Sequence, residues 1–425
     1  MQSFPVAAAS FPMPLRLIGW SQRLRGEAII VFLARLASVG FGLVFVFVTA
    51  RHLGAGGRGE IVVAFTVAWA TTHIADLGIS TSGRISLLRP NGGVEPSDVV
   101  SLTVVLLPFQ LVLSSVVIVV LSMTSLQLSH SLLVGTVVLS VAVMMFNSAK
   151  SLFYGLRRYR DVLVAEACLA AFHLMALAVL LVSSRLTSTS AVAMMAVGYG
   201  VCSVWLVWDS GVAKHGLRSW RVTHWRQLVL DGLSPMAGGT AVFVALRVDR
   251  LLLPLIAGTH VLGIYSVALA IPEALRILPY SVGQVIADRG RSHIDTVAES
   301  RRHTRIFVVA HVLVLAIAAL VGWVLLPVVF GTSFVESRDV LVIVVAAEAV
   351  LSIHLMHQVL LVGFARPKGL GVPQVVGAVA VVALDLVMIP RWGIHGAAWA
   401  ALTGYSIMAL VSTVWTNHEL RRMSA

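Results

Sequence analysis

The chain of 425 residues is 58% hydrophobic and only 12% charged, with a mean hydropathy of +0.93. Soluble domains carry about 25% charged residues, so this composition excludes a water-soluble fold and predicts an all-α polytopic membrane protein. The net charge of +12 would point to nucleic acid in a soluble chain. Here it is explained by excess Lys and Arg on cytoplasmic loops, and no nucleic-acid partner is expected.

A spanning helix needs about 20 mostly apolar residues. The sequence predicts twelve: 26–50, 60–83, 99–122, 131–149, 162–183, 188–208, 232–257, 261–285, 306–327, 339–362, 369–389 and 392–416. The first run exceeds a signal h-region and reads as a span rather than a cleavable leader. Cys168 and Cys202 both lie in apolar runs, so no disulfide framework is implied.

With the N-terminus in the cytoplasm, 22 of the 31 Lys and Arg fall inside, 5 outside and four within spans. That asymmetry predicts both termini inside. The basic loop 209–231 divides the chain into an N-terminal six-helix bundle, 1–208, and a C-terminal one, 232–425. Within the loop, Trp220 and Trp225 with Arg218, Arg221 and Arg226 suit a helix lying in the membrane interface. A solvated basic linker is the other reading.

A weak internal repeat agrees with the division. "LGAGGRGEIVVA" follows the first span and "AGTHVLGIYSVA" follows the seventh. In register, Gly54 pairs with Gly258, Gly59 with Gly263 and Ala64 with Ala268. Each half thus has a G-x4-G turn after its first helix, where glycine permits positive φ or close backbone approach. Internal duplication is common in secondary transporters.

Four arginines, Arg35, Arg247, Arg250 and Arg276, lie within spans, as do Asp76, Glu166, Asp249, Glu273, Glu348 and Asp385. An ionisable group in hydrocarbon costs about 3 kcal/mol or more, so it faces a partner or a water-filled cavity. Snorkelling from a helix end is the bland alternative, and it is an even match for Asp76, Glu166, Glu348 and Asp385.

The seventh and eighth spans say more. Counted from the turn at Thr259, Arg247 and Glu273 both lie roughly 18–21 Å down their helices. They are therefore placed to pair, while Arg250 and Asp249 have no obvious partner. Arg247 and Arg250 share a face at i, i+3, as do Glu273 and Arg276. The cluster is either a cavity lining or a structural ion-pair group. Arg35, in the span that the repeat matches to the seventh, would face Arg247 and Arg250 across a pseudo-twofold axis. Guanidinium groups in a closed cavity suit phosphate or diphosphate, which they bind bidentately.

His354 and His357, at i, i+3, have no third ligand nearby and read as packing residues, as do His73 and His173. No metal or cofactor is expected. Nothing resembles a nucleophile elbow, a phosphate-cradling P-loop or an H-E-x-x-H site, which argues against an ATP-driven pump and against a hydrolase. Asn147 and Lys150 mark the cytoplasmic end of the fourth span.

Four stretches carry a resemblance: "ARHLGAGGRGEI" (50–61), "RVDRLLLPLIAGTHVLGIYSVA" (247–268), "GFARPKG" (363–369) and "IPRWGIHGAAWAALTGY" (389–405). They resemble, in order and spacing, the Arg-x-Leu-Gly element, the seventh-helix Asp-Arg with its Leu-Gly-x-Tyr turn, the short basic loop, and the late Ile-Pro-x-x-Gly-Ile element of bacterial polysaccharide flippases. That branch of the multidrug/oligosaccharidyl-lipid/polysaccharide exporter superfamily implies two six-helix bundles forming a V around a central cavity. It implies alternating access, driven by an ion gradient, that moves an undecaprenyl-diphosphate-linked glycan from the inner to the outer leaflet. Membrane lipids and a polysaccharide polymerase or other assembly proteins are the implied partners.

By motif, Arg51 occupies the Arg-x-Leu-Gly element, and Arg247, Asp249 and Arg250 occupy the Asp-Arg element. The candidate substrate-binding residues are Arg35, Arg247, Arg250 and Arg276. The candidate ion-coupling residues are Asp249, Glu273 and Asp76. Lipid II flippases generally have two further C-terminal helices, which this chain lacks. A drug exporter of the same superfamily remains an alternative. A major facilitator transporter would carry an Asp-Arg pair where "SGRISLLRPNGG" has none, and a polysaccharide polymerase or ligase would need a long outer loop.

Overall fold

The computed structural model describes residues 16–89, 93–124, 126, 128–212, 222–291, 296–364 and 371–424, with side chains except those of 16–38, 222–223, 291 and 422–424. Among them every regular element is helical, and ten helices are long and apolar enough to cross a membrane. Two of the ten are double. Arg16–Ala75 breaks at Gly54 (φ 68°, ψ −174°) and Gly371–Ser424 breaks at Gly393 (φ 53°, ψ −124°).

Side-chain contacts show that both breaks reverse the chain. Arg58 lies 5.8 Å from the Phe45 ring, although 13 residues of straight helix would separate them by about 20 Å. Gly377 packs on Met408, and Gly404 packs on Val381. These pairs are in antiparallel register about a turn near Gly393. Counting each arm separately gives twelve spans, as composition predicts.

The first and second spans are therefore 16–53 and 55–75. The third to sixth are Pro96–Ser122, His130–Gly155, Tyr159–Val182 and Ser188–Asp209. The seventh joins Val222–Arg247 to Asp249–Ala257, and the eighth joins Thr259–Leu275 to Ile277–Arg291. The last four are Val297–Phe330, Ser337–Gly363, 371–392 and 394–424.

Several boundaries differ from the sequence expectation. The second span ends at Ala75, because Leu77 (φ 48°) and Gly78 (φ 73°) turn the chain into a short helix, Ile79–Leu88. The seventh helix starts at Val222, ten residues before expected. Trp225 and Arg226 thus belong to that helix rather than to a separate interfacial one. Trp220, Arg218 and Arg221 of the interfacial-helix reading lie outside the described residues.

The turns sort into two ends. At one end, Ser188 Oγ donates to the Gly57 carbonyl at 3.3 Å, and the Ser131 and Thr189 hydroxyls are 3.3 Å apart. There too Arg51 donates to the Val329 carbonyl at 3.3 Å, and the Phe47 and Phe330 rings lie 6.0 Å apart. At the opposite end, His224 Nδ1 lies 2.9 Å from Asp98 Oδ2, and Arg301 donates to Asn417 at 3.1 Å. Residues 16 and 424 therefore both lie at this second end.

The first six spans pack mainly on one another, as do the last six. The largest contact between the two sets runs along the second and eighth spans, and the seventh helix also rests on the Ile79–Leu88 helix.

The second–eighth contact gives the repeat a structural meaning. A Cβ on Gly59 would lie 1.8 Å from the Thr259 carbonyl oxygen, and one on Gly263 would lie 1.8 Å from that of Ala55. The repeat register maps each of these contacts onto the other. The two helices cross backbone to backbone about a pseudo-twofold axis, and only glycine leaves room at the crossing.

Candidate functional site: an arginine–carboxylate network at membrane depth

Prolines set up the site. Pro254 has no N–H for the Arg250 carbonyl, and Pro279 has none for the Leu275 carbonyl; their rings also crowd those carbonyls. The seventh span breaks at Val248 and the eighth at Arg276. Both breaks fall among the charged residues, so the kinks and the charges occupy one layer.

Glu273 is the hub. Its Oε2 accepts from Arg247 Nη1 at 3.3 Å, and its Oε1 accepts from Arg250 Nη2. Arg276 Nη2 lies 3.5 Å from the same Oε1. Arg276 turns mainly to Glu348 on the tenth span, donating Nε to Oε2 at 3.0 Å and Nη2 to Oε1. Fork-to-carboxylate pairs of this kind are the strongest ion-pair geometry available to arginine.

Burial grades the three arginines. Arg247 keeps 35% of its side chain exposed, against 8% for Arg250 and 9% for Arg276. The expected Arg247–Glu273 contact is present. Arg250, expected to have no partner, is the more deeply buried and is also tied to Glu273. Arg247 is therefore the guanidinium best placed to meet a ligand from this network.

Asp249 likewise has partners that the sequence did not reveal. Tyr265 Oη donates to its Oδ2 at 2.7 Å, and the Arg250 backbone N–H donates to its Oδ1 at 2.8 Å. Asp385 is on the eleventh span, in the helix pair 371–424 that packs on Asp249–Ala257. It is fully buried, and neither of its oxygens has a hydrogen-bond partner among the described residues. Sequence reasoning named Glu348 and Asp385 only as acids open to a bland explanation, and it passed over Tyr265.

The remaining candidates lie apart. Asp76 accepts from the Ser80 backbone N–H at 3.1 Å and from the Ser80 hydroxyl at 2.7 Å, in the first turn of the Ile79–Leu88 helix. Glu166 pairs with Lys150 at 3.2 Å. Arg35 is on the first helix, with its side chain outside the described residues. The histidines pack: His173 stacks on Phe41 with centroids 5.1 Å apart, and His354 Nε2 meets Gln358 Nε2 at 2.7 Å.

Arg58 falls between the first two expected spans, 26–50 and 60–83, and so counts among the five outside charges; it is instead a buried residue of the second span. A hairpin of one glycine leaves no loop to hold it.

A family model described as polysaccharide biosynthesis protein matches residues 24–286, more than half of the chain. The chain belongs to the polysaccharide biosynthesis protein family.

Among solved structures, this family member is similar to the lipid II flippase MurJ in an inward closed conformation. The TM-score is 0.70 at 10% identity, covering 93% of this chain and 87% of that one. It is also similar to an outward-facing multidrug resistance MATE family transporter of the MOP superfamily (TM-score 0.64, 12% identity, 94% and 96% covered). A third is a MOP superfamily transporter from Pyrococcus furiosus (TM-score 0.62, 12% identity, 94% and 96% covered). At these identities the likeness establishes the shared transporter fold. No curated protein matches by sequence. The family match includes Arg247, Asp249, Arg250, Glu273 and Arg276 of the network. Glu348 and Asp385 lie beyond it.

Proposed function

We propose that this multi-pass membrane protein is a flippase for an undecaprenyl-diphosphate-linked oligosaccharide, serving cell-surface polysaccharide biosynthesis. The observation that carries the reading is Glu273 sharing one carboxylate among three guanidinium groups, with Arg247 left partly open. Three guanidinium groups are bonded by two carboxylates, Glu273 and Glu348, so with Asp249 and Asp385 neutral the site keeps one cation in excess for a diphosphate. Arg250 and Arg276 orient the hub and add field, and Arg35 is the first-half candidate.

Transport would proceed by ion-coupled alternating access between the two helix sets. Asp249 and Glu273 are the proposed coupling groups within the network, with Asp385 joining Asp249. Asp385, buried with neither oxygen bonded among the described residues, is tolerated as a neutral acid or with a bound cation, which is the property a coupling site needs. Asp76, held by Ser80, is the weaker coupling candidate. The end bearing both chain termini is proposed to face the cytoplasm of a bacterium, in keeping with the 22-to-5 distribution of Lys and Arg. A polymerase or other assembly proteins would act on the delivered glycan.

The test is export of glycan to the cell surface. Arg247→Ala and Arg250→Ala are expected to abolish it while the protein still reaches the membrane, and full export in both variants would overturn the assignment. The likeness to multidrug MATE transporters supports a second reading, a drug exporter. Substrate efflux that survives in cells making no lipid-linked glycan would favour it. For coupling, Asp249→Asn and Asp385→Asn are expected to flatten the pH dependence of transport measured in vesicles.

A further inference from the structure

Arg58 lies where the second and eighth spans cross, a place for which the proposed transport cycle assigns it no task. The residue is buried. Its Nε donates to Ser266 Oγ on the eighth span at 3.3 Å, and its Nη1 donates to Thr49 Oγ1 on the first span at 3.3 Å. Its guanidinium lies over the Phe45 ring at 5.8 Å. None of these partners carries a negative charge. Among the described residues, no hydrogen bond or ion pair joins Arg58 to a carboxylate.

The electrostatic setting opposes the cation. The second span begins at residue 55 and the eighth at Thr259, and at the crossing each glycine meets the other helix's opening residue. Two positive helix N-termini therefore meet beside Arg58. A cation placed there is held by two hydroxyl acceptors and the Phe45 ring, with no direct bond to a carboxylate among the described residues. Such bonds hold a closed position and still release, whereas a buried guanidinium–carboxylate pair of the Arg276–Glu348 kind would lock it.

We infer that Arg58 is a releasable latch: its bond to Ser266 holds the second and eighth spans together and keeps the single-glycine-turn end of the molecule closed between the two halves. Ser266 is supported from behind, donating to the Gly263 carbonyl at 2.8 Å within the crossing. The latch is thus built from residues of both repeat copies. When the halves part, Arg58 gives up one hydroxyl and keeps Thr49, which belongs to its own half. Its role is to position the helices rather than to bind cargo, so the inference stands independently of what is transported.

The experiment reads closure without substrate. In the full chain with Cys168→Ser and Cys202→Ser, a cysteine is placed at Val62, which is buried in the core shared with Leu262 and Ile264. Labelling by a membrane-impermeant maleimide is then timed. Arg58→Ala and Ser266→Ala are each expected to speed labelling about tenfold, the value of one hydrogen bond to a charged group. Arg58→Lys, which keeps a donor, is expected to recover part of the closed state. A parallel cysteine at Leu152, buried near the opposite end, is expected to stay unlabelled throughout. Unchanged labelling at Val62 in both alanine variants overturns the latch. So does a rise with Arg58→Ala alone, because the bond to Ser266 is then not what holds the seam. A rise at Leu152 as well also overturns it, since the residue would then support the whole bundle. If Arg58→Ala does not accumulate, Ser266→Ala and Arg58→Lys decide between the same outcomes.

Discussion

Glu348 and Arg276 face each other almost without solvent, at 4% and 9% side-chain exposure. Removing one member of a buried pair leaves a bare charge and costs about 3–5 kcal/mol, whereas replacing both with apolar groups is often near neutral. Glu348→Gln is therefore expected to lower the unfolding temperature in detergent markedly. The double variant Glu348→Leu/Arg276→Leu is expected to recover much of the loss. If the double variant is as unstable as the single one, packing rather than charge dominates at this pair. Tyr265→Phe removes one donor from Asp249 and is expected to cost about 1–3 kcal/mol in the same measurement, the penalty of a buried acceptor losing its partner. The pairing of Arg247 with Glu273 was legible from equal distances to the turn at Thr259. The bonds of Arg250 and Asp249 were not, because rotamers and kinks at Val248 and Arg276 decide where those side chains point.

At the scale of helices, glycine marks where backbones touch. Gly59→Ala and Gly263→Ala would each drive a methyl group into a carbonyl oxygen at 1.8 Å. No rotamer change relieves a clash with main chain, so the two spans must separate. Both variants are expected to be destabilised by about 1–3 kcal/mol, as overpacking at a close-packed contact usually is. Gly56 has nothing within 4 Å of its would-be Cβ. Gly56→Ala is expected to be neutral or stabilising by up to about 1 kcal/mol through helix propensity. Equal melting temperatures for Gly56→Ala and Gly59→Ala would contradict the close crossing. The G-x4-G spacing was visible in both halves of the sequence. That each copy's second glycine packs on the other copy's first helical residue required the structure.

Across the whole molecule, twelve spans bring residues 16 and 424 to the same end of the helix assembly. A cysteine at Gly258 is expected to react with an impermeant reagent applied outside the cell, and one at Arg302 only after the membrane is opened. The reverse pattern would invert the orientation, although the twelve-span count would stand. Arg58 shows how local such counting can be. A tally of charges by predicted loop assigned it to the outside because a hairpin turn of one glycine has no loop. The chain after Gly54 is helical at once, and Arg58 lies inside the molecule.

The order of residues along the chain already contains the all-helical membrane architecture, the number of spans, the duplicated turns and which charges lie at membrane depth. These follow from hydropathy and the cost of ionisable groups in hydrocarbon, both of which are properties of composition along the chain. Which of those charges meet depends on the packed fold. It brought Glu348 of the tenth span and Asp385 of the eleventh to residues of the seventh and eighth, and it put Arg58 at the seam between the halves. Contacts between distant spans depend on how helices kink and cross, and on the absence of a Cβ at Gly59 and Gly263, which no one-dimensional pattern encodes.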